Sequence, residues 1–243
     1  MESICYRNTQ EEKVPTFIIQ RKRYILCPQI RKVFSKLIYN SLIGTIDDNL
    51  SLSNIGARPN KSPRDHLFVL HSVMDETLRG KEVCVDLVFY DLAQAYDSLW
   101  VEHTLLDLFS NKVDSNLLNV LHELSKNNSI SVKTPVGISE EREIEDTIMQ
   151  GENISSILCT SSVDKISKDC PLKPFRYKET VEIPSLGFVD KLCDITKCGK
   201  ETKAMNRYTM SEINKRMLQL STDKCVRMHM KSKRKSNDSD EDK

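Results

Sequence analysis

Residues 83–90 read Val-Cys-Val-Asp-Leu-Val-Phe-Tyr and run straight into Asp91. This stretch limits the fold more than any other. β-Branched and aromatic side chains suit a pleated, packed surface, so it predicts a buried strand. A buried strand needs partner strands and a cover on its faces, which excludes a purely helical bundle. A second strand signal lies at 186–195, two short strands around a tight turn at Val189 and Asp190. Asp91 at a strand end and Asp190 in a turn come from distant parts of the chain. Such carboxylates either cap local turns or converge on a hard cation.

The other elements follow from periodicity. Ile30, Val33, Phe34, Leu37 and Ile38 sit at helical spacing and predict a helix over 30–41. A polar, Gly- and Pro-containing loop follows at 47–63. Leu67, Leu70, Val73, Met74 and Leu78 then form one apolar helix face, with Asp65 as N-cap. A further helix after Asp114 turns Leu117, Leu118, Leu121 and Leu124 inward. Residues 129–134 alternate as a strand, 135–137 make a turn, and 143–149 return to complete a hairpin. Gln150 and Gly151 start a helix carrying Ile154, Ile157 and Leu158, and Pro171 and Pro174 end it. A helix at 202–218 and a strand at 225–230 close the domain. The expected class is α+β, with antiparallel strand pairs and helices on one side.

Composition sets the outer limits. The 243 residues suit one large domain or two small ones, and a net charge of +1 means that any basic surface is local. No apolar run approaches the ~18 residues of a membrane span, and the first residues lack the apolar centre of a signal peptide. The eight cysteines contain no CxxC pair, so reduced thiols in an intracellular protein, nuclear or cytoplasmic, are expected. Cys193 and Cys198 with His229 fit no familiar zinc spacing.

Five segments carry a family resemblance. FYDLAQAYDSLW at 89–100 looks like motif A of the reverse transcriptases of non-LTR retrotransposons. NIGARPNKSPRDHLFVL at 54–70 resembles that family's arginine-bearing fingers motif and the helix after it. MQGENISSIL at 149–158 is similar to motif B, LGFVDK at 186–191 to the motif C hairpin, and LSTDKC at 220–225 to the lysine-bearing motif D. Each is weak alone, but the ordered set is specific and spans roughly residues 20–230.

The resemblance implies a polymerase-type right hand, with a fingers-like region at 16–82 and a palm-like region at 83–230 whose antiparallel sheet is backed by helices; composition adds a polar N-terminal extension at 1–15 and a charged tail at 231–243 with no apolar anchor, expected to be disordered. No thumb and no endonuclease are expected within the chain. It implies RNA-directed DNA synthesis on an RNA template and DNA primer from deoxynucleoside triphosphates, with no membrane and no obligate protein partner. Asp91 and Asp190 would hold two Mg2+ ions about 4 Å apart. Lys224 would protonate the leaving pyrophosphate. Tyr96 would crowd a 2′-hydroxyl, and Gln150 and Gly151 would lie under the nucleotide and template base. Arg21 and Arg58 would contact triphosphate or template through bidentate hydrogen bonds. Each also has a plain structural reading: turn caps for Asp91 and Asp190, core packing for Tyr96, a helix start for Gln150 and Gly151, and solvated surface cations for Arg21, Arg58 and Lys224.

One departure bears on function. Motif C of the family carries two adjacent aspartates, and here the second is Lys191. An ammonium placed there repels Mg2+ and is free to pair with Asp91 or Asp190 instead. The expected outcome is a fragmentary or catalytically impaired polymerase copy, or a nucleic-acid-binding protein that keeps the fold without the chemistry. Ala57, Asn60 and Cys225 are milder departures.

Overall fold

The computed structural model describes residues 28–80, 84–134, 137–144 and 151–232. The strand at its centre, β1 (Cys84–Ala93), pairs antiparallel with β9 (Lys191–Lys197) on one side and with β10 (Gln219–Leu220) and β11 (Val226–Lys231) on the other. β9 pairs in turn with β8 (Ser185–Phe188). β1 passes through Asp91 and ends two residues later, because Leu92 and Ala93 find partners in β10. The turn at Val189 and Asp190 joins β8 to β9 as the residues predict.

Strand alternation gives the sheet two chemically distinct faces. Asp86, Val88, Tyr90 and Leu92 point to one, and Val85, Leu87 and Phe89 to the other; Val88, Tyr90 and Leu92 join the larger core, whereas Val85, Leu87 and Phe89 join the smaller. Helices α6 (Ser155–Lys168) and α7 (Lys200–Lys215) lie on the first face, where Thr202 and Thr209 of α7 donate to Asp86 and Asp194. The larger core continues through α1 (Gln29–Asn49), α4 (Val101–Ser110) and α5 (Ser115–Ser125), centred on Leu42, Ile46, Leu108, Ile157 and Val163. The short α3 (Ala95–Ser98) links β1 to α4.

The second face is also covered. Val73 of α2 (Pro63–Arg79) packs with Val85, Leu87, Ile195 and Met230 in a smaller core. Helices therefore back the sheet on both sides, not one. The hairpin of β6 (Phe175–Tyr177) and β7 (Val181–Ile183), absent from the pattern reading, joins that core through Phe175, Tyr177 and Ile183.

Several local expectations shift. α1 runs to Asn49, eight residues beyond 41, and buries Ser35, Ile38, Leu42 and Ile46. Ile30, Val33, Phe34 and Leu37 are exposed, so only Ile38 of the predicted stripe reaches the core. In α2 the N-cap is Ser62, and Asp65 completes a capping box from the third helical position. Leu67 and Leu78 are exposed there, and Val73 and Thr77 are buried. The predicted hairpin after α5 forms from β2 (Asn128–Ile130) with β5 (Arg142–Ile144), and β3 (Lys133–Thr134) with β4 (Gly137–Ile138). Its return strand thus starts earlier than 143, and 145–149 lie outside the described residues. Asp114 caps α5 by accepting from the Asn116 amide.

Cysteine pairing overturns the all-reduced expectation. Cys84 and Cys198 form a disulfide across 114 residues, with Cα atoms 5.5 Å apart. Sequence spacing gives no sign of it, because the pairing follows from the β1–β9 register. No helix of the described residues is long and apolar enough to cross a membrane.

Candidate active site

Two backbone contacts bring the separated carboxylates together. The Leu92 amide donates to the Asp190 carbonyl at 3.0 Å, and Asp91 stands opposite Lys191 in the β1–β9 ladder. Asp91 and Asp190 therefore share one end of the sheet, as the motif order implies. Val189 in the connecting turn has φ +55°, a left-handed conformation that a β-branched residue rarely takes. Neighbours must hold the turn in place.

They do so from the loop between α1 and α2. The Gly187 amide donates to the Ser53 carbonyl, and the Ile55 amide donates back to the Gly187 carbonyl, both at 3.0 Å. The Asn54 side chain reaches the Thr160 carbonyl at 3.2 Å. Gly56 lies so close that a Cβ there would meet the Val189 nitrogen at 2.3 Å. Gly187 is similarly closed off by the Asn54 side chain. These residues support the carboxylate-bearing turn, a role not expected from the sequence. The glycines in motif-bearing segments were the available signal.

Lys191 occupies the space between the acids. Its Nζ lies 2.8 Å from Asp190 Oδ1 and 3.6 Å from Asp91 Oδ2. Lys224 approaches from the other side, 3.6 Å from Asp91 Oδ1. It is delivered by a tight turn in which the Ser221 amide donates to the Asp91 carbonyl at 2.8 Å and the Lys224 amide to the Ser221 carbonyl. Partial burial would lower the Lys191 pKa, but the Asp190 hydrogen bond and the charges of Asp190 and Asp91 outweigh it and raise it. Lys191 stays an ammonium throughout the neutral range. Two carboxylates thus face two ammonium groups, and the charges of the four side chains cancel.

Tyr96 stands beside this cluster. Its hydroxyl is 3.2 Å from Ser156 Oγ of α6, and burial raises its pKa despite that contact. Gly151 does not start a helix. It lies in a turn four residues before α6 with φ +97°, a conformation that glycine tolerates. Gln150 and Arg21 lie outside the described residues.

Arg58 faces inward. Its guanidinium donates to Asp47 Oδ1 at 2.5 Å and to the carbonyls of Ser51, Asn54 and Asp47 at 2.6, 2.7 and 3.1 Å. Its side chain is only 5% exposed. It ties the C-terminal end of α1 to the fingers-like loop, and its donors point away from solvent. Arg31 plays a similar part, binding buried Glu152, Asn128 and the Leu124 carbonyl. Lys61 on the same loop and Arg64 in the first turn of α2 are exposed.

The family described as reverse transcriptase (RNA-dependent DNA polymerase) matches residues 12–238. Among solved structures, telomerase from Candida tropicalis in complex with a TWJ fragment of telomeric RNA is similar at 14% identity and TM-score 0.54 over 83% of this chain. Telomerase from Candida albicans with a TWJ fragment of telomeric RNA is similar at 13% identity and TM-score 0.53 over 84%. At these identities the likeness is one of fold. The chain spans about a third of each of those telomerase chains, 33% and 34%. No curated protein matches the sequence.

Proposed function

Because the chain belongs to the reverse transcriptase (RNA-dependent DNA polymerase) family, we propose that it keeps the framework of an RNA-directed DNA polymerase of the non-LTR retrotransposon type, and that as written it transfers nucleotides poorly or not at all. The observation that carries this reading is the Lys191 ammonium between Asp91 and Asp190.

Reverse transcriptases generally use divalent cations, and the geometry of Asp91 and Asp190 suits a hard cation by itself. The full set of side chains does not. A pair of Mg2+ ions brings four positive charges. Two carboxylates return two, and Lys191 and Lys224 already neutralise those. The residues present do not fit a two-ion centre, so no step of chemistry is routed through one. Lys224, assigned by resemblance to proton donation, lies with its Nζ 3.6 Å from Asp91 Oδ1. Tyr96, assigned by resemblance to a sugar gate, packs against the larger core with its hydroxyl 3.2 Å from Ser156 Oγ. Arg58 acts as a brace for the loop, which leaves Lys61 and Arg64 as the described cations of that segment free to meet a phosphate backbone.

A second reading follows from those two exposed cations: a nucleic-acid-binding protein that keeps the polymerase fold without catalysis, with an RNA template and a DNA primer as natural ligands. Primer extension on a homopolymer template with deoxynucleoside triphosphates separates the two. The native chain is expected to give little or no product, and Lys191→Asp to raise it by tenfold or more, which requires only about 1.4 kcal/mol of transition-state stabilisation per tenfold. Robust extension by the native chain defeats the proposal. Inactivity of both proteins with retained binding favours the second reading.

A further inference from the structure

A second cluster of ligating groups lies at the opposite end of β1. Cys84 opens the strand, and extending the β1–β9 register by one residue sets Cys198 beside it. The Cys198 amide donates to the Cys84 carbonyl at 3.4 Å. His229 of β11 stands opposite Asp86, two residues along from Cys84, so all four side chains share one face of the sheet. His229 Nδ1 is 3.6 Å from Cys198 Sγ, and the ligand atoms of Cys84, Cys198 and His229 lie within 4.8 Å of one another. β1, β11 and the residue just past the end of β9 thus supply two sulfurs and one imidazole nitrogen at a single point.

We propose that, when the Cys84–Cys198 bond is reduced, Cys84, Cys198 and His229 bind a thiophilic divalent cation, Zn2+ above all. The donor set is the argument. Two thiolates and an imidazole match the tetrahedral S and N preference of zinc and repel harder ions such as Mg2+. Charge balance agrees: two thiolates neutralise a divalent cation, while Asp86, fully buried, already holds Arg227 at 2.7 Å and Thr202 at 2.6 Å. His229 Nδ1 exchanges its present 2.9 Å contact with Asp86 for the metal, and Asp86 keeps its other two partners. His229 is exposed, so a water completes the fourth position. The separation of the cysteine Cα atoms, 5.5 Å, lets the same pair close as a disulfide or open around an ion.

The interconversion balances with a phosphine as reductant. Phosphorus takes the oxygen of one water, and the two sulfurs receive two electrons and that water's two protons as thiols. Zn2+ then displaces both thiol protons to solvent. The bound ion ties β11, which pairs with β1 in the described sheet, to β1 and to the end of β9. This site is independent of the Asp91–Asp190 cluster and does not rest on the polymerase reading.

The test is Co2+ titration of the full chain, reduced by a phosphine under anaerobic conditions. One equivalent is expected to give the ligand-field bands of a tetrahedral ion and a near-ultraviolet thiolate charge-transfer band. Zn2+ should displace both sets of bands. Cys84→Ser and Cys198→Ser should each abolish the charge-transfer band of the two-thiolate site, and Cys170→Ser should leave it unchanged. His229→Ala, at an exposed position expected to fold, should weaken Zn2+ binding by about tenfold or more, since even outer-sphere losses cost 10–100-fold. Circular dichroism identifies any variant that has failed to fold, and His229→Ala then decides. A folded, reduced native chain without the charge-transfer band means a simple structural disulfide and overturns the proposal. So does a band that survives His229→Ala with unchanged affinity.

Discussion

Replacing Arg58 separates bracing from phosphate binding. Arg58→Ala removes four charge-assisted hydrogen bonds, one of them to a carboxylate. Bonds to a charged group contribute roughly 1.5–3 kcal/mol each in isolation. Their sum overstates the loss, because the freed carbonyls of Asp47, Ser51 and Asn54 regain water as the loop relaxes. Breaking a buried ion pair by removing one partner costs about 3–5 kcal/mol. Asp47 keeps 30% of its side chain in solvent, which argues for the lower end. The expected loss is about 3 kcal/mol, a large share of the roughly 5–15 kcal/mol that holds a domain together. Arg58→Lys should fall between the two, since a single ammonium cannot span the same fork of acceptors. Urea unfolding followed by far-ultraviolet circular dichroism reads the change, with RNA binding measured in parallel below the transition. If Arg58→Ala unfolds within about 0.5 kcal/mol of the native chain, the range of an ordinary surface substitution, while RNA binding collapses, the bracing argument is refuted.

Three further outcomes follow from the same structure. Gly56→Ala forces a methyl onto the Val189 nitrogen and should destabilise by about 1–3 kcal/mol or more, read as a lowered unfolding midpoint; an unchanged midpoint would mean that loop and hairpin do not touch in solution. Burial pushes the Asp194 carboxyl up to about 6, against the hydrogen bonds of Thr209, Tyr90 and Ser185. A raised folded pKa favours the native state below the unfolded value near 3.8, and the advantage is lost as pH rises through about 6. Asp194→Asn should flatten that fall between pH 4 and 7, by up to about 3 kcal/mol, and identical pH profiles would dismiss it. RNA binding should weaken severalfold between about 50 and 200 mM salt. Lys61→Ala and Arg64→Ala should each lower the salt slope by about one, and a binding constant indifferent to salt would contradict a phosphate-contacting loop.

The sequence carried the sheet better than the helices that cover it. β1 and the β8–β9 turn were legible because a run with five β-branched or aromatic residues and a two-residue turn are local signals. Lys191 was legible for the same reason, as it stands next to Asp190. The inward face of α1 was not. Ile30, Val33, Phe34 and Leu37 form a good apolar stripe, but tertiary partners select Ser35, Ile38, Leu42 and Ile46. Arg58 reads as a free cation until the end of α1 is seen to offer it carbonyls. Gly56 against Val189 and Cys84 against Cys198 are encounters across more than a hundred residues, and no spacing rule anticipates such pairs.

Under the proposed function, the Lys191 ammonium takes the place of a metal ion between Asp91 and Asp190. Mn2+ binding, followed by water-proton relaxation with the Cys84–Cys198 bond intact, tests it most directly, because Mn2+ prefers the same hard oxygen donors as Mg2+. The account predicts negligible Mn2+ binding at this site in the native chain. It predicts a gain in Lys191→Asp, smaller in Lys191→Ala, with both gains lost when Asp190→Asn is added. Native protein that binds Mn2+ as tightly as Lys191→Asp, through Asp91 and Asp190, would contradict it.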